Sequence, residues 1–195
     1  TVSRIKAYID QCAYFDGKTV LLVIGEYFWD GEVFPRAAIW TMAKERCQEV
    51  SDYAATKNLE IVLELEPFSE ALVGTVDTLV QFVRDVDRPN FRANADISHL
   101  DLAGASVADV AKMTGLIGHI HLSDCDGKTH GDLPAGLGGT PIKEYLQAIV
   151  DTGYEGTVSI ELEYSPDPAK IVEWATQAYI NTAAIMSEIG VRPEA

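Results

Sequence analysis

Hydrophobic and polar positions follow two periods that alternate along this chain from one end to the other. Short, mostly apolar runs predict strands at residues 20–24, 60–66, 91–97, 116–123 and 157–163. Between and around them, apolar residues recur at helical spacing and predict helices near residues 3–15, 36–57, 71–86, 106–114, 141–151 and 167–188. This alternation is typical of an α/β fold with a parallel sheet. No low-complexity linker interrupts the series, and we therefore predict a single domain over residues 1–195.

The polar residues of the later strands fall on one face, because side chains along a strand alternate with a period of two. In the last run, Val158 and Ile160 share one face, whereas Ser159 and Glu161 share the other. An open doubly wound sheet would need apolar residues on both faces. The pattern therefore favours a parallel (β/α) barrel of the TIM type with a polar interior. About five βα units are present, so we predict a partial barrel, because a closed one has eight.

Four of the predicted strands end in a side chain that can bind a metal ion, and these are Glu66, Asp96, His121 and Glu161. Active sites of such barrels lie at the carboxyl ends of the strands. Three carboxylates and one imidazole form an oxygen-rich set that suits Mn²⁺ or Mg²⁺, with Co²⁺ as an alternative. A structural zinc site would use cysteines, and the three in this chain lie far apart. The sequence predicts one divalent-metal site.

Three other polar residues of these strands are not expected to act directly. Glu64 lies two residues before the proposed ligand Glu66, and Glu163 lies two residues after the proposed ligand Glu161. His119 is expected to fill the interior as a hydrogen-bonded histidine. We therefore place none of the three in the predicted metal site.

Four motifs occur in a recognisable order: Asp96-Ile-Ser-His99, His121-Leu-Ser-Asp124, Leu137-Gly-Gly and Ser159-Ile-Glu161. Their order and spacing resemble the xylose isomerase-like barrels, the sugar phosphate isomerase/epimerase group that includes the ketose 3-epimerases. The resemblance covers residues 3 to 188. It implies that the metal ligands follow the fifth to eighth barrel strands and that three βα units precede this chain.

The resemblance implies a metal-dependent isomerase or epimerase that acts on a small sugar, sugar phosphate or keto acid through an enediolate. Glu66 and Glu161 would remove and return the proton next to the carbonyl, and His99 would contact the substrate. The ketose epimerases carry an Arg after the His-x-His pair, whereas this chain has Lys128 and His130 in that loop. We predict that these two residues bind a carboxylate or phosphate of the substrate.

Three other functions stay open at this point. A lyase similar to inosose dehydratase would use the same metal to eliminate water. An abasic-site endonuclease of the same superfamily carries an Asp-x-His motif, whereas residues 128–132 read Lys-Thr-His-Gly-Asp. A barrel fragment without activity would bind metal weakly, because absent strands would supply the substrate contacts.

Charge and composition narrow the range of partners. A net charge of −15 opposes nucleic acid, because such binding depends on Lys and Arg displacing counterions. No apolar run approaches the roughly 20 residues of a membrane span, and the amphipathic start does not resemble a signal peptide. An odd number of widely spaced cysteines is typical of a reducing compartment. We therefore expect a cytoplasmic protein with a small-molecule partner, and the sequence leaves a homo-oligomer open.

Overall fold

A computed structural model describes residues 2–24, 35–163 and 167–192. The helices are α1 (Val2–Tyr14), α2 (Arg36–Ala55), α3 (Val76–Val86), α4 (Ile97–Leu102), α5 (Ile142–Asp151) and α6 (Ile171–Glu188). The strands are β1 (Thr19–Leu22), β2 (Glu60–Glu64), β3 (Phe91–Asp96), β4 (Ile117–Leu122) and β5 (Val158–Ile160). Single 3₁₀ segments cover Val107–Met113 and Pro168–Lys170. The strands form one sheet in the order β1-β2-β3-β4-β5, which confirms the predicted alternation of strands and helices.

The chain forms two compact units. The first contains residues 1–94 and 116–119, and the second contains residues 95–115 and 120–195. Strands β3 and β4 each carry residues of both units. Whether the units fold as one domain over residues 1–195 stays a prediction.

In the first unit, two neighbouring strands are buried and flanked by amphipathic helices. Strand β2 pairs in parallel with β1 and with β3, and Glu64 lies opposite Asn94 in the second pairing. Helix α3 turns a continuous apolar face inward, and Phe82 on that face meets the Trp40 ring edge-on at 4.9 Å. The helix begins at Val76 because the Thr75 side chain accepts a hydrogen bond from the Thr78 backbone N–H.

In the second unit, the pairing of β4 with β5 is parallel and starts at Ile120 opposite Val158. Helix α5 buries Ile142, Tyr145, Leu146 and Ile149, which recur at the three- and four-residue spacing of one helix face. The Tyr145 hydroxyl donates a hydrogen bond to the carbonyl of Ala105. The sequence had predicted a short helix near residues 106–114, and the chain forms a 3₁₀ helix there.

Several element boundaries differ from the prediction for local reasons. Strand β2 ends at Glu64 rather than residue 66, since the backbone N–H of Glu66 donates to the Val73 carbonyl across a loop. Strand β5 ends at Ile160, although Glu161 still donates its N–H to the Leu122 carbonyl. The short helix α4 was not predicted, because six residues carry too little periodicity to be recognised. Within the described residues, no helix combines the length and apolar character needed to cross a membrane.

Candidate metal centre

Asp96 occupies the junction between strand β3 and helix α4, and its two oxygens have different surroundings. Oδ1 accepts hydrogen bonds from the backbone N–H of His99 and from the Ser98 hydroxyl, both at 2.9 Å. The Asp-x-x-His spacing is therefore a helix N-cap, in which a carboxylate satisfies a free N–H of the first turn. Oδ2 lies 3.9 Å from Nδ1 of His121. The cap holds this buried carboxylate in one orientation toward the imidazole.

Strands β4 and β5 bring His121 and Glu161 together. His121 lies opposite Ser159 in the strand register, and Glu161 follows β5 by one residue. Its backbone hydrogen bond to Leu122 keeps Glu161 against β4. The Glu161 Oε2 atom lies 2.8 Å from Nδ1 of His121, which forms an ion pair when the imidazole is protonated.

The second unit thus gathers three of the four predicted metal ligands. Asp96, His121 and Glu161 each offer one donor atom, and these atoms all lie within 4.8 Å of one another. Two carboxylate oxygens and one imidazole nitrogen are a donor set that Mn²⁺, Mg²⁺, Co²⁺ and Zn²⁺ can accept. The residues present therefore fit a divalent cation, and their positions follow directly from the ends of three neighbouring strands.

The pKa of Glu161 lies below its usual value because its neighbours favour the ionised form. Partial burial of the side chain raises this pKa, because low polarity penalises the charge. The hydrogen bond and positive charge of His121 act in the opposite sense, and Asp96 and His99 add smaller lowering effects. Their sum holds the pKa of Glu161 below its usual value. At neutral pH this side chain is a carboxylate, as both a metal ligand and a proton acceptor must be.

Glu66, the fourth predicted ligand, belongs to the first unit together with Glu64. Both side chains are buried. The Asn94 amide donates a hydrogen bond to Oε2 of Glu64. The carbonyl of Glu66 accepts from the N–H of Phe68, which forms a tight turn directly after the predicted ligand. The role of Glu66 in metal binding and proton transfer stays a prediction.

Two of the three predicted substrate-binding residues lie next to each other. The Nε2 atoms of His99 and His130 are 2.5 Å apart, and their ring centroids are 4.6 Å apart. Lys128 is exposed on the same loop, where its backbone N–H and that of Thr129 donate to Oδ1 of Asp126. Contact of these residues with a substrate stays a prediction.

Asp124 organises the loop after β4, a role that the sequence did not reveal. It forms an antiparallel bridge with Leu133, through two hydrogen bonds of 2.8 Å. Its buried carboxylate accepts further hydrogen bonds at 2.8–3.0 Å from the backbone N–H groups of Cys125, Gly136, Gly138 and Thr140. The His-x-x-Asp motif at the end of the predicted strand was the signal that could have identified it. Asp124 thus fixes the path of a glycine-rich segment.

Asp132 also lies at the site and was not predicted. It is buried, and its Oδ1 atom accepts a 2.9 Å hydrogen bond from the Ser123 hydroxyl. Its Oδ2 atom lies 3.9 Å from Nε2 of His130. No periodic pattern extends into this loop, so its burial could be seen only in the folded chain.

Comparisons with known proteins agree with this architecture. A family model described as xylose isomerase-like TIM barrel matches residues 1–181. The D-psicose 3-epimerase of Ruminiclostridium cellulolyticum is 30% identical over 124 residues, which are 63% of this chain and 41% of that protein. The fructoselysine 3-epimerase of Escherichia coli O157:H7 is 27% identical over 134 residues, 68% of this chain and 49% of that protein.

A solved IolI protein with a bound zinc atom superposes with a TM-score of 0.83 and 22% identity, covering 96% of this chain and 69% of that one. The chain spans less than half the length of the two epimerases that it matches. The fold similarity confirms the predicted parallel barrel of the TIM type, with about five βα units present. The chain belongs to the xylose isomerase-like TIM barrel family.

Proposed function

We propose that this chain carries the metal-binding part of an isomerase or epimerase that acts on a small sugar, sugar phosphate or keto acid. The observation that carries the proposal is the convergence of Asp96, His121 and Glu161 within 4.8 Å at the ends of three strands. The two matching 3-epimerases support a ketose as the substrate class.

Asp96, His121 and Glu161 are the residues that would hold a divalent cation, with Glu66 as the fourth ligand proposed from the strand pattern. When bound, such a cation supplies Lewis-acid chemistry, because it polarises a carbonyl and stabilises negative charge on its oxygen. Mn²⁺, Mg²⁺ and Co²⁺ suit this donor set. Zn²⁺ is a further candidate, since the similar IolI protein was solved with zinc.

Glu161 would act as the base that removes a proton from the carbon next to the substrate carbonyl. The electron pair of the broken C–H bond then forms the C=C bond of an enediolate, and the carbonyl π electrons move to its oxygen. Glu66 would return a proton to that carbon from the other side. His99 would contact the substrate, and His130 and exposed Lys128 would bind its carboxylate or phosphate.

The exchange of substrate hydrogen with solvent tests this chemistry directly. The protein is incubated in D₂O with Mn²⁺ and ketohexoses, their phosphates or hydroxypyruvate, and deuterium next to the carbonyl is followed by NMR. We expect exchange that requires the cation and is lost in Glu161→Gln. The matched control is Glu163→Gln, two residues away and exposed, which should retain exchange.

The same experiment distinguishes the alternatives. A product that has lost water would indicate the lyase rather than the isomerase or epimerase. Absence of exchange with every substrate, in the presence of Mn²⁺, Mg²⁺, Co²⁺ and Zn²⁺ in turn, would contradict the proposal and favour a barrel fragment without activity.

A further inference from the structure

We propose that Asp124 is a positioning residue for substrate binding. Its carboxylate acts as an internal anion that fixes the loop after β4 and, through this loop, the positions of Lys128 and His130. The inference rests on the proposed function, in which these two residues bind a carboxylate or phosphate of the substrate. All residues that carry it belong to the second compact unit.

The Asp124 carboxylate is buried in a concave set of backbone N–H groups. Oδ1 accepts hydrogen bonds from Cys125 and Thr140 at 2.8 and 3.0 Å. Oδ2 accepts hydrogen bonds from Gly136 and Gly138 at 2.8 and 2.9 Å. Concavities lined by backbone N–H groups bind anions such as phosphate in many proteins. Here the anion belongs to the chain itself, and the residue that carries it is 1% exposed.

The number of hydrogen bonds indicates a positioning role for Asp124 rather than a catalytic one. A carboxylate offers about four acceptor positions, and four backbone N–H groups occupy them. No acceptor position remains for a cation or a substrate hydroxyl. Because hydrogen bonds to a charged acceptor are roughly twice as strong as neutral ones, this one side chain can hold residues 136–140, which lie outside the helices and strands.

Glycine at position 138 is required by the close approach of this carboxylate. A Cβ atom there would overlap Oδ1 of Asp124 and the carbonyl oxygen of Cys125. A Cβ atom on the neighbouring Gly139 would instead meet the Cys125 carbonyl oxygen at 4.0 Å, an ordinary contact distance. The glycine-rich segment is therefore shaped around an internal carboxylate, and its N–H groups are not available to a phosphate from solution.

Helix α6 holds the same segment from a second side. Asn181 donates a hydrogen bond from Nδ2 to the carbonyl of Ala135 at 2.5 Å, and Gln177 donates to Oδ1 of Asn181 at 2.6 Å. Ala135 is buried. The end of β4 and helix α6 thus fix the segment between them, and it forms a base for the exposed part of the loop.

The two predicted substrate-binding residues lie on the part of the loop that this base supports. Two backbone hydrogen bonds of 2.8 Å join Asp124 and Leu133 and close the loop at its base. The exposed tip forms a turn around the Asp126 carboxylate. A tip with its own turn moves together with its base, so the Asp124 carboxylate sets where Lys128 and His130 lie. Such preorganisation favours substrate binding.

Chemical rescue by formate tests the internal anion directly. Asp124→Ala removes the carboxylate and leaves room for a small one in its place. Exchange of the backbone amides of residues 126–140 with D₂O, followed by mass spectrometry, should become at least about 10-fold faster, the factor that corresponds to one hydrogen bond to a charged group. Saturating sodium formate should restore the wild-type rate, whereas neutral formamide should not. Asp124→Asn keeps the side-chain volume but turns one acceptor into a donor, so it should lose protection and not respond to formate.

The effect on substrate is measured with the same variants by deuterium exchange into ketohexoses, their phosphates or hydroxypyruvate in the presence of Mn²⁺. Asp124→Ala should raise the substrate concentration for half-maximal exchange at least about 10-fold, and formate should lower it again relative to the wild type in the same formate. The calorimetric affinity for Mn²⁺ should stay unchanged, because the proposed cation ligands lie at the strand ends. A residue needed only for folding would also alter Mn²⁺ binding.

A pair of glycine substitutions tests the same contact if Asp124→Ala does not fold. Gly138→Ala places a methyl group against the Asp124 carboxylate and should accelerate amide exchange in residues 126–140. The matched control, Gly139→Ala, should keep the wild-type protection. Equal protection in both variants would show that the Asp124 carboxylate does not hold the loop.

Failure of this inference and failure of the proposed function give different results. If the wild type exchanges deuterium into no substrate, the proposed function fails together with the substrate role of the loop, and the formate response of the amides still decides whether Asp124 is the internal anion. If the wild type is active and Asp124→Ala keeps the wild-type half-maximal substrate concentration, Asp124 is not a positioning residue, whatever its amides do.

Discussion

At the scale of single residues, two buried carboxylates, Asp96 and Asp132, use one oxygen for a structural hydrogen bond and direct the other toward an imidazole. Asp96 uses Oδ1 to cap helix α4 and directs Oδ2 toward His121. Asp132 uses Oδ1 for a serine hydroxyl and directs Oδ2 toward His130. A carboxylate that is anchored by one oxygen loses little freedom when the other meets a ligand, and such preorganisation favours binding.

The two roles of Asp96 can be separated by substitution. Asparagine is a good N-cap residue, so Asp96→Asn should fold with nearly unchanged stability. It should bind Mn²⁺ about 10- to 100-fold more weakly, because the charge of the ligand is lost. Asp96→Ala should lose the metal and also about 1 kcal/mol of stability with the cap. Calorimetric Mn²⁺ titration and urea unfolding measure the two effects. Wild-type Mn²⁺ affinity in Asp96→Asn would remove Asp96 from the ligand set.

The ion pair between Asp52 and Arg88 predicts a pH-dependent contribution to stability. Arg88 Nε and Nη2 lie 2.5 and 3.2 Å from the two carboxylate oxygens. The hydrogen bond from Arg88 lowers the pKa of Asp52, and its charge adds to this effect. Because the pKa is lower in the folded state, the stabilisation is complete above about pH 4 and is lost as the pH falls through the folded-state value.

Asp52→Asn should therefore unfold at lower urea than the wild type at pH 7, and the difference should vanish at the acid end of a pH series. The pair is exposed, so about 1 M NaCl should reduce the difference at pH 7. A difference that is independent of both pH and salt would show that lost packing, rather than charge, weakens the variant.

At the scale of elements, the carboxyl ends of β3, β4 and β5 decide which side chains meet. Parallel strands with regular register place their last residues in a row, so Asp96, His121 and Glu161 become neighbours although they are far apart along the chain. The loop after β4 adds further polar side chains. The position of this loop depends on the hydrogen bonds that the Asp124 carboxylate accepts from its backbone.

Gly118 on strand β4 shows how closely the strands of the first unit approach. A Cβ atom at this position would lie 2.8 Å from Cβ of Arg92 and 2.9 Å from Cγ1 of Val62, closer than real Cβ atoms are found. Gly118→Ala should therefore destabilise the fold by about 1–3 kcal/mol through overpacking. The measurement is the free energy of unfolding in urea.

Gly131→Ala is the matched control for this substitution. Its Cβ would have one neighbour, the Thr129 carbonyl oxygen at 3.8 Å, and its backbone lies outside the left-handed region. We expect a change within about 0.5 kcal/mol, as for most surface substitutions. An equal loss of stability in both variants would show that backbone freedom, rather than strand packing, accounts for the effect.

At the scale of the whole molecule, the proposed cation site of Asp96, His121 and Glu161 should contribute to stability, because a ligand that binds only the folded state shifts the unfolding equilibrium. Addition of Mn²⁺ or Zn²⁺ at about 100 times its dissociation constant should stabilise the protein by about 2.7 kcal/mol. Chelation should remove this gain. The midpoint of thermal unfolding measures both changes.

Substitution of His121 is the control for this effect. His121→Gln should show a smaller increase in the unfolding midpoint than the wild type when cation is added. An equal increase would mean that the stabilising cations bind elsewhere on a chain whose net charge is −15.

The sequence by itself determined the order of helices and strands and three side chains of the candidate metal centre. Strand periodicity is a local property, so it placed Asp96, His121 and Glu161 at strand ends, where the structure brings them together. The same pattern predicted Glu66 as a metal ligand. Its role in metal binding stays a prediction, because Glu66 belongs to the other compact unit. Metal identity and substrate likewise do not follow from periodicity.

Only the tertiary structure decided the surroundings of His99 and His130 and revealed the part that Asp132 and Asp124 play. These residues meet through a loop without hydrophobic periodicity, whose path is set by hydrogen bonds between distant backbone groups and one buried carboxylate. Such contacts join residues that have no fixed spacing in sequence. Periodicity therefore predicts which way a strand residue faces, whereas the neighbours of a loop residue depend on how the whole chain packs.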